Sequence, residues 1–132
     1  MYKVISIIAY EMTRSIKLKN SDTGAIEDCF DDSDVVSDKN FNFMQLGCEY
    51  DCKIKLLGDI VQEDKSNAIL CTVVCKDILV GTRNMVKVFY ENNYYYIHKT
   101  RVGNVEDGDT FYFECFRKDL IQVDDVFHAD FL

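Results

Sequence analysis

The chain of 132 residues contains no proline and no tryptophan. It also lacks an apolar run long enough to span a membrane, which takes about 20 residues. The apolar segment 4–10 is followed at once by Glu11 and Arg14. This segment lacks a signal-peptide cleavage pattern, and no Asn-x-Ser/Thr glycosylation site occurs. We therefore expect a cytoplasmic protein that does not associate with membranes.

Six cysteines are present, and nothing in the sequence marks a secreted disulfide scaffold. We expect reduced thiols, most of them packed as small apolar core residues. The pairs Cys48/Cys52 and Cys71/Cys75 lie in predicted strands, where residues four positions apart are separated by about 13 Å. A structural zinc site usually uses closer pairs on a turn. The sequence therefore predicts no metal site and no cofactor.

Catalytic signatures are also missing. The chain has two histidines, His98 and His128, and no nucleophile elbow, zinc-helix motif or glycine-rich phosphate loop. The acidic turn around Gly108 lacks oxygen ligands at two required positions of a calcium loop. We predict no catalytic residue. A small enzyme of unknown reaction stays open as a hypothesis, and it would need one of the histidines beside a thiol or a carboxylate.

The composition favours a globular, strand-rich fold, because 48% of residues are hydrophobic and Phe and Tyr number 9 and 8. Polar and apolar residues alternate strictly over 49–56, and 68–80 is almost continuously apolar, so both predict strands. Residues 2–20 are expected to form one arm of a hairpin whose turn is 21–24, and residues 85–99 a second hairpin. Gly58 is expected to break or bulge its strand.

These patterns predict a single β-rich domain over residues 1–132. Its class is all-β or β-dominated α+β, as a small Greek-key or OB-like barrel of about seven strands. At most one short helix is expected, near residues 33–46, although 40–43 alternates as a strand does. Gly47 and Gly108 each precede an inward aromatic residue by three positions, which leaves an internal repeat open.

The net charge of −8 is concentrated in two acidic blocks, residues 21–51 and 106–132, around a mildly basic middle. An acidic surface repels nucleic acid and attracts basic proteins. Our first hypothesis is a non-catalytic module that docks a basic protein partner, in an inhibitor, immunity-like or adaptor role. The alternative is a solvated surface that aids solubility. The predicted surface consists of Asp28, Asp31, Asp32, Asp34, Asp107, Asp109, Asp124 and Asp125.

A second hypothesis is an OB-type module that binds single-stranded nucleic acid. Such modules combine cations with aromatic rings that stack on bases. Residues 89–90 could supply further rings, and the net charge counts against this hypothesis. The predicted face consists of Lys17, Lys19, Lys53, Lys55, Tyr94, Tyr95 and Tyr96.

Overall fold

A computed structural model describes residues 1–62 and 67–132. The fold is β-dominated, with 60% strand and 8% helix, as the sequence predicts. In the described residues the strands are β1 (Tyr2–Ala9), β2 (Arg14–Asn20), β3 (Ile26–Asp31), β4 (Glu49–Tyr50), β5 (Cys52–Val61), β6 (Ala68–Val80), β7 (Arg83–Tyr90), β8 (Asn93–His98), β9 (Thr110–Val123) and β10 (Val126–Phe127).

The helices are short. They are α1 (Ser33–Val36), α2 (Lys99–Val102) and a 3-10 turn over Ala129–Phe131. The chain divides into two compact units, one formed by Met1–Ile54 with Lys118–Leu132 and the other by Lys55–Arg117. The single domain stays a prediction.

The second unit is a closed five-stranded barrel. Strands β6, β7 and β8 follow one another as antiparallel neighbours, and β9 returns to pair with β6. The spatial order β9-β6-β7-β8 is that of a Greek key. Strand β5 completes the barrel between β9 and β8 and runs parallel to β8. The predicted small Greek-key barrel is thus confirmed, although the barrel has five strands where about seven were expected. The described residues hold ten strands in all, which belong to one sheet.

Gly58 lies inside β5 and does not end it. A Cβ atom at this position would stand 1.9 Å from the backbone oxygen of Glu114. The absence of a side chain therefore lets β5 approach β9 closely, and the strand continues to Val61.

The first unit contains an antiparallel meander of β1, β2 and β3, with β4 beside β1 and β9 beside β3. The expected single arm over residues 2–20 is wrong, because the chain reverses between Tyr10 and Thr13, where the Tyr10 N–H donates to the Thr13 carbonyl at 2.8 Å. Segment 40–43 is neither strand nor α-helix. It is an irregular loop whose Phe41 ring is fully buried.

Candidate functional site

Asp28 and Asp34 are exposed, as the acidic-surface hypothesis requires. Asp28 lies on β3, and one of its carboxylate oxygens is 3.6 Å from the ammonium of Lys17 on β2. Asp34 lies in α1, where its Oδ1 accepts hydrogen bonds from the side-chain amides of Asn40 at 3.1 Å and Asn42 at 2.8 Å. Two donors thus fix the orientation of the Asp34 carboxylate at the surface.

Asp31 is not a surface residue, and this part of the predicted surface is corrected. Its side chain is 1% exposed. The Arg14 guanidinium donates to Asp31 Oδ2 through Nε at 2.9 Å and Nη2 at 2.7 Å. Asp31 Oδ1 accepts from the Ser33 N–H at 2.9 Å. The physical reason is strand alternation, which places Asp31 on the same buried side of β3 as Cys29.

Asp32 pairs with the buried His128 in the same unit. The His128 Nδ1 accepts from the backbone N–H of Asp130 at 3.1 Å, so Nε2 carries the proton. Nε2 then donates to Asp32 Oδ1 at 2.6 Å. This is the histidine–carboxylate contact that the enzyme hypothesis needs. In the described part of the chain, however, no thiol or hydroxyl hydrogen bonds to either ring nitrogen. The pair anchors the C-terminal 3-10 turn to α1's N-terminal side.

Asp107 and Asp109 are exposed and belong to the second unit. Asp107 Oδ1 accepts the backbone N–H of Lys76 at 2.8 Å, and Asp109 Oδ2 accepts that of Glu106 at 2.9 Å. Asp107 therefore holds the turn that precedes β9 against β6, and Asp109 stabilises the turn itself.

Asp124 and Asp125 are exposed in the first unit, at the turn between β9 and β10. Asp124 has a positive φ of 51°. Its Oδ1 accepts from the Asp51 N–H at 2.9 Å, so this carboxylate also serves the local backbone. Only Asp125 of the two is left with a side chain that has no described hydrogen-bond partner.

The predicted nucleic-acid face is divided between the two units. Three of its lysines lie in the first unit, where Lys17 and Lys19 are exposed. Lys53 is half-buried, and its ammonium donates to the Gln122 side-chain oxygen at 2.8 Å. Lys55, also half-buried, and the three tyrosines lie in the second unit.

Of those tyrosines, only Tyr94 is available for stacking. Tyr95 and Tyr96 are 3% and 7% exposed, so their placement on an open face is corrected. Consecutive strand residues point to opposite faces, so both faces of β8 are covered at these positions. Tyr94 is 48% exposed, its ring centroid is 4.6 Å from the Lys87 ammonium and 5.2 Å from the Phe89 ring centroid. Lys87 is not among the residues predicted for this face.

A groove of about 430 Å³ lies in the first unit between the β1–β2 hairpin tip and α1. We call it the acidic groove. Its lining includes the carboxylates of Glu11, Asp31 and Asp34 and one guanidinium. That guanidinium, of Arg14, is paired with Asp31. Its rim is apolar and open: Tyr10 and Met12 are each 62% exposed, and Val35 is 50% exposed. The lining consists of Ala9, Tyr10, Glu11, Met12, Thr13, Arg14, Asp31, Asp34, Val35 and Asn42.

This groove was not predicted from the sequence, although a signal was present. Residues 10–13 join two strands yet contain no glycine, asparagine or aspartate. Turns are usually built from small polar residues, so the large apolar side chains of Tyr10 and Met12 in this one indicate a surface that makes contacts.

The cysteines divide by burial. Cys29, Cys52 and Cys71 are buried, Cys48 is exposed, and the remaining two are half-buried. Burial raises the pKa of Cys52 to about 12 and that of Cys71 to about 12, since a thiolate is poorly solvated in the core. Burial also raises the pKa of Cys29 well above its usual value. These three thiols are therefore poor nucleophiles at neutral pH.

Within residues 1–62 and 67–132, no group of three or more His, Cys, Asp or Glu side chains could hold a metal ion. No helix in these residues is both long and apolar enough to cross a membrane. No protein-family model matches the chain, and no curated protein or solved structure matches it either.

Proposed function

We propose that this protein is a non-catalytic binding module that docks a basic protein partner through the acidic groove. The observation that carries the proposal is that one concave site combines exposed apolar side chains with two carboxylates, Glu11 and Asp34, for which the described residues show no ion pair. Glu11 and Asp34 supply the negative charge, because the third carboxylate, Asp31, is already neutralised by Arg14. An inhibitor, immunity-like or adaptor role is consistent with such a site.

The two kinds of side chain have different tasks in this proposal. Exposed apolar side chains such as Tyr10 and Met12 supply the area that a partner removes from water, and that area contributes most of the affinity. The carboxylates select a cationic partner and accelerate its approach. A lysine or arginine flanked by apolar residues therefore fits the groove, because its charge meets the carboxylates while its neighbours cover the rim.

The proposal is tested by selecting binders from a random-sequence peptide library displayed on phage. We expect the selected peptides to combine Lys or Arg with apolar residues. Binding should fall by about tenfold or more in the variant Glu11→Lys/Asp34→Lys, which reverses both free charges. The matched control, Asp22→Lys/Asp38→Lys, makes the same change in net charge at exposed acids that do not line the groove.

Selected peptides without basic residues would contradict the proposal. So would equal losses in the two double variants, because a general field effect would then explain the binding.

A second candidate function, binding of single-stranded nucleic acid, rests on the exposed Tyr94 ring, which contacts Lys87 and Phe89 on the barrel. A cation beside an exposed ring is the element that stacks a base and contacts its phosphate. The test is fluorescence anisotropy of labelled single-stranded DNA and RNA at low and physiological salt. Tyr94→Ser should abolish binding, whereas Tyr10→Ser, at another exposed tyrosine, should not. Absence of binding at low salt would refute this function.

A further inference from the structure

The outer edge of β1 is open over most of its length. On that side β4 pairs only with Tyr2 and Lys3. The next residue, Val4, is bonded to the loop that precedes β4: its N–H donates to the Cys48 carbonyl at 3.0 Å, and its carbonyl accepts the Gly47 N–H at 2.8 Å. From Ile5 to Ala9, no residue of the described chain pairs with this edge.

The register of the β1–β2 hairpin shows which backbone groups face outward. The Tyr10 N–H donates to Thr13, so this opposing pair is hydrogen-bonded. Hydrogen-bonded and non-hydrogen-bonded pairs alternate along an antiparallel ladder. Ile8 opposite Ser15 is then bonded to β2, while Ile7 and Ala9 direct their N–H and C=O groups to the open edge.

From Ser6 to Ala9, the β1 edge lacks the usual protection against strand addition. Natural edges are blunted by charges, prolines, bulges or a covering loop. Segment 5–9 contains no charged residue and no proline. The bulge in β1 lies between Val4 and Ser6, so the pairing with β2 is regular from Ser6 to Ala9. Ile5 and Ile8 are 39% and 51% exposed, which leaves apolar side chains along the open edge.

We propose that an extended, basic peptide segment of a partner protein adds as a strand to this edge and places a Lys or Arg side chain in the acidic groove. This inference deepens the proposed function and rests on it. Ala9 ends β1 and also lines the groove, so a strand paired along Ile7 and Ala9 reaches the groove rim. Backbone hydrogen bonds then hold the peptide, and Glu11 and Asp34 select its charge.

Charge argues for a foreign basic segment over a second copy of this chain. A second copy carries a net charge of −8 and brings the same carboxylates to the contact. A basic strand instead brings cations to a groove whose free charges are Glu11 and Asp34. The segment need only be short, because the open edge spans five residues.

The test uses a fluorescein-labelled synthetic peptide of seven residues that alternates lysine and valine. Single N-methyl groups are placed on each backbone amide in turn, which removes a donor but leaves every charge. We expect loss of binding at every second amide and little change at the others, because alternate amides of an added strand face β1. Methylation that is harmless throughout would overturn strand addition.

The failure of this inference can be told apart from failure of the proposed function. Peptide binding that Glu11→Lys/Asp34→Lys abolishes but that N-methylation does not affect would keep the docking function and reject the strand. The docking function would be rejected if the peptide did not bind at low salt. It would also be rejected if the peptide bound the unchanged protein and Glu11→Lys/Asp34→Lys equally well.

A pair of variants at Ala9 tests the edge from the side of the protein. Ala9→Pro removes the outward N–H without removing a bond to β2, and we expect binding to weaken by about tenfold, as for a lost hydrogen bond with its local packing. Ala9→Val keeps the N–H, so we expect it to weaken binding less than Ala9→Pro does. Circular dichroism confirms that both variants fold. Equal binding by the two variants would overturn the inference. It would also be overturned if the unchanged protein sedimented as a dimer and Ala9→Pro as a monomer, because a second copy would then occupy the edge.

Discussion

The buried ion pair between Arg14 and Asp31 gives the sharpest stability prediction. Replacing Arg14 by Met keeps much of the side-chain volume but removes the guanidinium. The Asp31 carboxylate, 1% exposed, would lose two hydrogen bonds and keep the one from the Ser33 N–H. The Phe41 carbonyl would also lose the hydrogen bond that it accepts from Arg14 Nη2 at 2.8 Å.

The expected cost follows from the burial of the two partners. Breaking a buried ion pair by removing one partner costs about 3–5 kcal/mol. Because the Arg14 side chain is 17% exposed, we expect a value at the lower end, about 3 kcal/mol for Arg14→Met. The double variant Arg14→Met/Asp31→Ala should lose less than the sum of its single variants, since it leaves no unpaired charge.

The assay is urea unfolding followed by circular dichroism. The control is the pair Lys17–Asp28, which joins the same two strands but is 46% and 70% exposed. We expect Lys17→Met to cost about 0.5 kcal/mol or less, because water screens such a pair. If Arg14→Met costs no more than Lys17→Met, the inferred importance of the buried pair is refuted.

Three further predictions concern the core. At pH 8, iodoacetamide followed by mass spectrometry should label the exposed Cys48 in the folded protein and Cys52 only after unfolding; labelling of both at equal rates would contradict the burial argument. Because burial raises the pKa of Cys52 from 9.0 to about 12, its contribution to stability is complete below pH 9 and is lost as the pH rises towards 12. The free energy of unfolding in urea should therefore change less between about pH 8 and about pH 11 in Cys52→Ala than in the unchanged protein. Gly58→Ala should destabilise the protein by about 3 kcal/mol or more, because its Cβ meets the Glu114 carbonyl. Gly103 has a positive φ and no atom within 4 Å of an added Cβ, so Gly103→Ala should cost about 1 kcal/mol. Thermal melting compares the two variants, and equal losses of stability would refute the close contact at Gly58.

Short-range patterns predicted much of the fold. The alternation at 49–56 covers β4 and the first half of β5, which Asp51 separates, and the apolar run at 68–80 is β6. The turn at 91–92 joins β7 to β8 with two residues in positive φ. These features depend on neighbouring residues, which a sequence displays directly. The reversal between Tyr10 and Thr13 could not be predicted in this way, because its residues are not turn formers and the hairpin is held by the pairing of its strands.

The site residues were harder to predict because one residue type has several fates. Asp31 and Asp34 look alike in an acidic run, but one is paired in the core and the other is exposed. The alternation along the strands distinguishes them. Arg14 lies on the same face of β2 as the buried Ile16, and Asp31 lies on the same face of β3 as the buried Cys29. An arginine and an aspartate on two inward faces indicate a buried pair. Which residues stand opposite each other depends on register, and that the sequence did not show.

The two binding hypotheses now depend on different residues in different units. The acidic groove lies in the first unit, and the Lys87–Tyr94 contact lies in the barrel. The net charge of −8 does not distinguish the two hypotheses. At physiological salt the field of a charge is screened beyond about 8 Å, so the affinity of each site depends on the charges close to it. Salt dependence cannot choose either, since a basic peptide on the groove and a nucleic acid on Lys87 would both bind more weakly as salt rises. Substitutions can choose: Glu11→Lys should affect only the peptide and Tyr94→Ser only the nucleic acid, so each variant serves as the control for the other.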